Sequence, residues 1–116
     1  MQEPFGSVDL PAANATITGG FSVAGWAIDR AAPAGTGVSA VHVYAFAAGS
    51  GTPIFLGVAT LGLARPDVGA NFGARFTPSG YSLTTSLPPG TYDVYTYARS
   101  TVSGDTAVRG VHIVVQ

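Results

Sequence analysis

Cysteine is absent from the 116 residues, and so is lysine. Without thiols there is no disulfide framework, no thiolate metal site and no thiol nucleophile. Without lysine there is no Schiff-base chemistry, no Ser-Lys dyad and no Lys-Asn isopeptide staple. Charge of either sign is scarce, at 9% of residues against a usual share of about 25%. The basic residues are Arg30, Arg65, Arg75, Arg99 and Arg109 and the net charge is -1, so the chain has no electrostatic footprint for nucleic acid. No stretch approaches the ~18 uninterrupted apolar residues of a membrane span, and Met1-Gln2-Glu3-Pro4 lacks the basic and apolar regions of a leader. Nucleic acid and membrane insertion are therefore not expected. A hydrophobic content of 47% excludes disorder driven by charge, and the length suits one domain, 1–116.

Glycine and proline, by contrast, are plentiful, 16 and 8, and they punctuate short runs rich in Val, Thr, Tyr and Phe. No window sustains a helical apolar period. The chain reads as all-β, with strands expected over 5–10, 15–18, 20–28, 38–47, 54–61, 81–85, 91–99 and 107–115. About seven to eight short strands suit a sandwich of two antiparallel sheets better than a barrel. Turn chemistry supports the breaks at Gly49-Ser50-Gly51, Pro78-Ser79-Gly80, Pro88-Pro89-Gly90 and Ser103-Gly104-Asp105. The segment from Gly62 to Pro78 is expected to be a structured crossover with at most one helical turn.

The most specific local signal is Leu87-Pro88-Pro89-Gly90-Thr91-Tyr92 running into a strand. It reads as a tyrosine corner, in which Tyr92 turns its ring inward and its hydroxyl bonds backbone a few residues upstream. Strand alternation then sends Val94, Thr96 and Ala98 inward, and Asp93, Tyr95, Tyr97 and Arg99 outward. For the strand around Trp26, alternation leaves both residue sets as candidates for the core.

With Gly25-Trp26-Ala27-Ile28-Asp29, Arg65-Pro66-Asp67-Val68, Ser79-Gly80-Tyr81 and the Pro89-Gly90-Thr91-Tyr92 corner, the chain resembles bacterial immunoglobulin-like (Big-type) accessory modules over Phe5 to Val115. The resemblance implies an immunoglobulin-like β-sandwich in a secreted or cell-surface multidomain protein. It implies a spacer, adhesive or carbohydrate-binding role and brings no catalytic residue. The chain departs from the wider immunoglobulin class in lacking the inter-sheet cystine, so Trp26 cannot pack on one.

Catalytic chemistry has little to stand on. Glu3, Asp9, Asp29, Asp67, Asp93 and Asp105 are scattered, without calcium-loop spacing, and read as turn caps. Asp67 is expected to accept local backbone N–H groups, with Arg65 as a partner. One weak cation arrangement is Asp29 with the carbonyls of residues 32–35. No nucleophile elbow, dinucleotide fingerprint or phosphate loop is present, so an enzyme and a cofactor are not expected. His42 and His112 belong to strands that both flank the Tyr92 strand in an immunoglobulin arrangement. They would stand about 10 Å apart, too far to share a metal.

One surface stands out. Strand 38–47 puts Val41, Val43 and Ala45 on one side and His42, Tyr44 and Phe46 on the other, while strand 107–115 puts His112 opposite Val111 and Ile113. The immunoglobulin arrangement unites these strands with the Tyr92 strand as C, F and G. Their outer face would carry His42, Tyr44, Phe46, Tyr95, Tyr97 and His112, rimmed by Asp93 and Arg99. Such a face suits pyranose stacking. It equally suits docking to a neighbouring domain, another protein or a second copy. It also suits plain sheet stabilisation through cross-strand pairs such as Tyr44 with Tyr97. The leading expectation is a non-catalytic structural, adhesive or protein-interaction module of an exported bacterial protein; the alternative is a carbohydrate-binding module that holds polysaccharide.

Overall fold

A computed structural model describes residues 4–116, so the expectations resting on Met1-Gln2-Glu3 lie outside the described residues. Among the described residues nine strands form: β1 (Phe5–Leu10), β2 (Ala15–Ile17), β3 (Phe21–Ile28), β4 (Val38–Ala47), β5 (Ile54–Val58), β6 (Thr60–Leu63), β7 (Gly80–Thr85), β8 (Gly90–Ser100) and β9 (Thr106–Val115). They make a four-stranded sheet in the order β1-β3-β7-β6 and a five-stranded sheet in the order β2-β9-β8-β4-β5. The all-β sandwich follows the expected pattern. The five-stranded sheet is mixed rather than antiparallel, because the N-terminal chain leaves β1, crosses to the other sheet through residues 11–14 and lays β2 parallel to β9.

Two further differences raise the element count. The strand expected over 54–61 is two strands. At Ala59, whose N–H donates to the Val41 carbonyl at 2.8 Å, the chain passes from the five-stranded sheet to the four-stranded one. The crossover after it contains a full helix, α1 (Pro66–Phe72), and a 3₁₀ segment over Ala74–Ser79. Pro66 starts α1 with its φ pre-set and no N–H to satisfy, and Asp67 places a carboxylate in the first turn. Val68 and Phe72, four residues apart, share the face that packs on the sheet.

The main core lies between the sheets, built from Val23, Val41, Val43, Ala45, Tyr81, Tyr92, Val94, Ile113 and their neighbours. Tyr92 is buried and its hydroxyl donates to the Pro88 carbonyl at 2.8 Å, as a tyrosine corner requires. Val94, Thr96 and Ala98 follow it inward. A second tyrosine does a similar job from β7, where the Tyr81 hydroxyl donates to the Ser7 carbonyl of β1 at 3.0 Å. It passes over Gly25, where a β-carbon would sit 2.9 Å from the hydroxyl and 2.0 Å from the Ser7 carbonyl, so only glycine fits.

A smaller core forms on the outer side of the four-stranded sheet, where Ile28, Val68 and Phe76 are buried and Phe5, Trp26 and Phe72 pack against them. This settles the Trp26 strand. Val23 and Ala27 face the sheet–sheet interior, and Trp26 faces α1.

Candidate functional site

The five-stranded sheet aligns its outer residues in rows across the strands. Val108, Tyr97, His42 and Val58 occupy one row; Gly110, Tyr95, Tyr44 and Phe55 the next; His112, Asp93 and Phe46 a third. His42, Tyr44, Phe46, Asp93, Tyr95, Tyr97 and His112 are thus brought onto one face, with Arg99 one step beyond, opposite Ala40 and Thr106. The direct partner of Tyr44 is Tyr95, and Tyr97 is its diagonal neighbour.

The rings interlock rather than lie flat. Phe46 and Tyr95 meet edge to face with centroids 5.7 Å apart and an 82° interplanar angle, and Tyr44 meets Tyr97 at 5.4 Å and 89°. Tyr95 and Tyr97 are 6.5 Å apart, closing the chain between the two pairs. Such edge-to-face contacts match the ring quadrupoles and are worth about 0.5–1.5 kcal/mol each beyond burial. Tyr95 also leans over Gly110, where a β-carbon would fall 2.6 Å from the ring. Glycine at that position leaves the space that the ring fills.

Phe55 was not among the residues expected here. It meets Tyr44 at 5.1 Å and His42 at 6.0 Å and is half exposed. The signal lay in the hairpin, since returning the chain through residues 48–53 sets Phe55 opposite Tyr44. A register irregularity between Val43 and Tyr44 breaks the simple alternation that would have placed it. Beside these rings lies a shallow depression of about 650 Å³, lined by His42, Tyr44, Phe46, Pro53, Tyr97, Thr106 and Val108, none of them a formally charged residue.

Charge is confined to the margins. At one, His112 Nδ1 donates to Asp93 Oδ1 at 2.9 Å, with both side chains about half exposed, so the pair is worth at most about 1 kcal/mol. Arg99 stands at the other margin. Asp93 is the side-chain hydrogen-bond partner of His112.

Elsewhere Asp9, Asp29 and Asp67 are held by hydrogen bonds within the fold. Asp67 receives Arg65 through Nε at 3.1 Å and a second nitrogen at 2.9 Å, while the third guanidinium nitrogen reaches Asp9 at 2.6 Å. Arg65 therefore brings two carboxylates together that the sequence keeps far apart, and ties α1 to β1. Its hydrogen bond holds the Asp67 carboxyl below its ordinary range, helped by the Val68 N–H. Asp29 is fully buried; it accepts from the Ala31 N–H at 2.9 Å and the Ser100 hydroxyl at 2.6 Å. The neighbouring carbonyls do not await calcium, because the Arg75 guanidinium donates to those of Arg30, Ala32 and Gly35. Among the described residues no group of three His, Asp or Glu side chains is placed to hold a metal ion. Among the described residues no helix is long and apolar enough to cross a membrane.

Comparison with known protein families matches no family model. A search of curated proteins finds no match either.

Proposed function

We propose that the chain is a non-catalytic immunoglobulin-like module of an exported bacterial protein, and that it docks other protein surfaces through the outer face of its five-stranded sheet. The strand order, the cross-sheet placement of β1 and β2 and the Tyr92 corner support the immunoglobulin-like reading. The extracellular, bacterial setting rests on the resemblance of the Trp26, Arg65-Pro66-Asp67 and Tyr92 segments to such modules. The observation that carries docking is the interlocked aromatic surface itself. Five rings with an uncharged centre and charged margins offer large contact area at small entropic cost, the composition of an interface core and its rim.

A carbohydrate-binding role is the second reading, favoured by the uncharged depression beside Tyr44 and Tyr97, where hydroxyl, imidazole and threonine groups border apolar surface. The mutual tilt of the rings weighs against it, since a flat stacking platform for pyranose faces wants them coplanar. Tyrosine nitration compares the two. Docking predicts that Tyr95 and Tyr97 react readily in the isolated module and are shielded in the parent protein, with no retention on immobilised polysaccharides. Retention on a neutral polysaccharide, lost in Tyr95→Ala/Tyr97→Ala, would replace docking by sugar binding. Equal nitration in both settings without retention would leave the rings as sheet stabilisers alone.

A further inference from the structure

Four strand edges bound the two sheets: β1 and β6 on one, β2 and β5 on the other. A free edge presents unpaired N–H and C=O groups to any extended chain, and folded proteins blunt it with charge, shortness, bulges or cover. Three of these edges are blunted. On β1 the ladder shifts register between Val8 and Leu10, Asp9 is engaged by Arg65, and the Gly6 carbonyl accepts from the Arg109 guanidinium at 3.0 Å. β2 has only three residues. β6 has four, its pairing with β7 is irregular, and the chain meets the charged Arg65 two residues after it ends.

β5 differs from all three. Its ladder with β4 shifts register too, between Val43 and Tyr44, but among the described residues its outer edge carries no charge and no covering element. Ile54, Phe55 and Val58 are exposed by 38%, 53% and 55%. Indeed, no Asp, Glu, Lys or Arg occurs anywhere between Arg30 and Arg65, so β4, β5, β6 and their loops offer no charged guard. Leu61 and Leu63 of β6 continue the apolar flank.

We propose that β5 is a self-association edge, pairing antiparallel with β5 of a second copy about a two-fold axis and joining two five-stranded sheets into one of ten. A two-fold contact must be complementary to itself. An uncharged apolar strand meets that condition against its own copy. A charged partner would have to desolvate its charge against a flank that holds nothing to answer it. With a net charge of -1 the two copies repel each other little at long range. This goes beyond the docking reading and uses the edge of the sheet rather than its face; the dimer would set two aromatic faces side by side.

Sedimentation equilibrium of the chain from about 1 μM to about 1 mM tests it, a range that reaches contacts as weak as about -4 kcal/mol. A monomer–dimer equilibrium is expected, with amide exchange along β5 slowing as the dimer fills. Ile54→Lys/Val58→Lys gathers four like charges at the seam and should weaken the dimer at least about 100-fold, the penalty of juxtaposed like charge. Circular dichroism should show that this variant remains folded. Tyr95→Ala/Tyr97→Ala should leave the dimer intact. A chain that is monomeric throughout overturns the proposal. So does a dimer lost in the tyrosine variant but kept in the lysine one, or one whose β5 amides exchange as in the monomer. The last readout needs no variant. Failure here leaves the nitration result on Tyr95 and Tyr97 untouched, and failure there leaves the dimer untouched.

Discussion

Two aromatic clusters sit on opposite outer faces of the sandwich, and each contains an edge-to-face pair of the same geometry. Phe5 and Trp26 meet at 5.7 Å and 82°, and so do Phe46 and Tyr95. What separates them is cover. Helix α1 lays Val68 and Phe72 over the first cluster and makes it a second core, whereas among the described residues no element lies over the second. An edge-to-face pair therefore does not by itself tell a covered cluster from an open one. The residues that lie above a ring pair decide whether it is spent on stability or remains on offer to a partner.

The comparison breaks if truncations in the two clusters cost the same. Trp26→Ala removes the centre of the covered cluster and is expected to lower stability by about 3 kcal/mol, read from urea unfolding. Tyr95→Ala and Tyr97→Ala are expected to cost about 1 kcal/mol each, the worth of an edge-to-face contact with partial burial, while abolishing partner contact. Gly110→Ala sharpens the contrast further. The new methyl must push the Tyr95 ring aside, so near-ultraviolet circular dichroism and ring-current shifts at Phe46 should change while stability moves by less than about 1 kcal/mol. The smallest effect concerns how α1 is held down. Asp67 has a folded pKa below its ordinary value near 3.8, so its contribution is present above that value and is lost as pH falls through the lower folded one. Between about pH 5 and about pH 2 the melting temperature of Asp67→Asn should therefore fall less steeply than that of the wild type.

The parts of the fold legible in the sequence are those written locally. The corner at Pro88-Pro89-Gly90 fixes Tyr92 inward, and a period of two then carries the parity to Tyr95 and Tyr97 without reference to the rest of the chain. Trp26 was illegible because both faces of β3 are covered, one by the other sheet and one by α1, and alternation marks burial only when one face meets water. The helix itself spans too few residues for its period to register. The switch at Ala59 leaves no mark because a chain moving between sheets keeps its β-forming composition. Phe55 was missed because pairing across a hairpin with shifted register is a property of two strands and not of one.

Arg75 has a consequence for the conditions under which this module keeps its shape. Its guanidinium is a covalently attached cation seated among three loop carbonyls, positions that in other loops could coordinate a dissolved ion. A ligand tethered to the chain cannot be diluted or chelated away. The loop between β3 and β4 should therefore be equally ordered in calcium-rich and calcium-poor surroundings, and EDTA should leave the melting temperature unchanged.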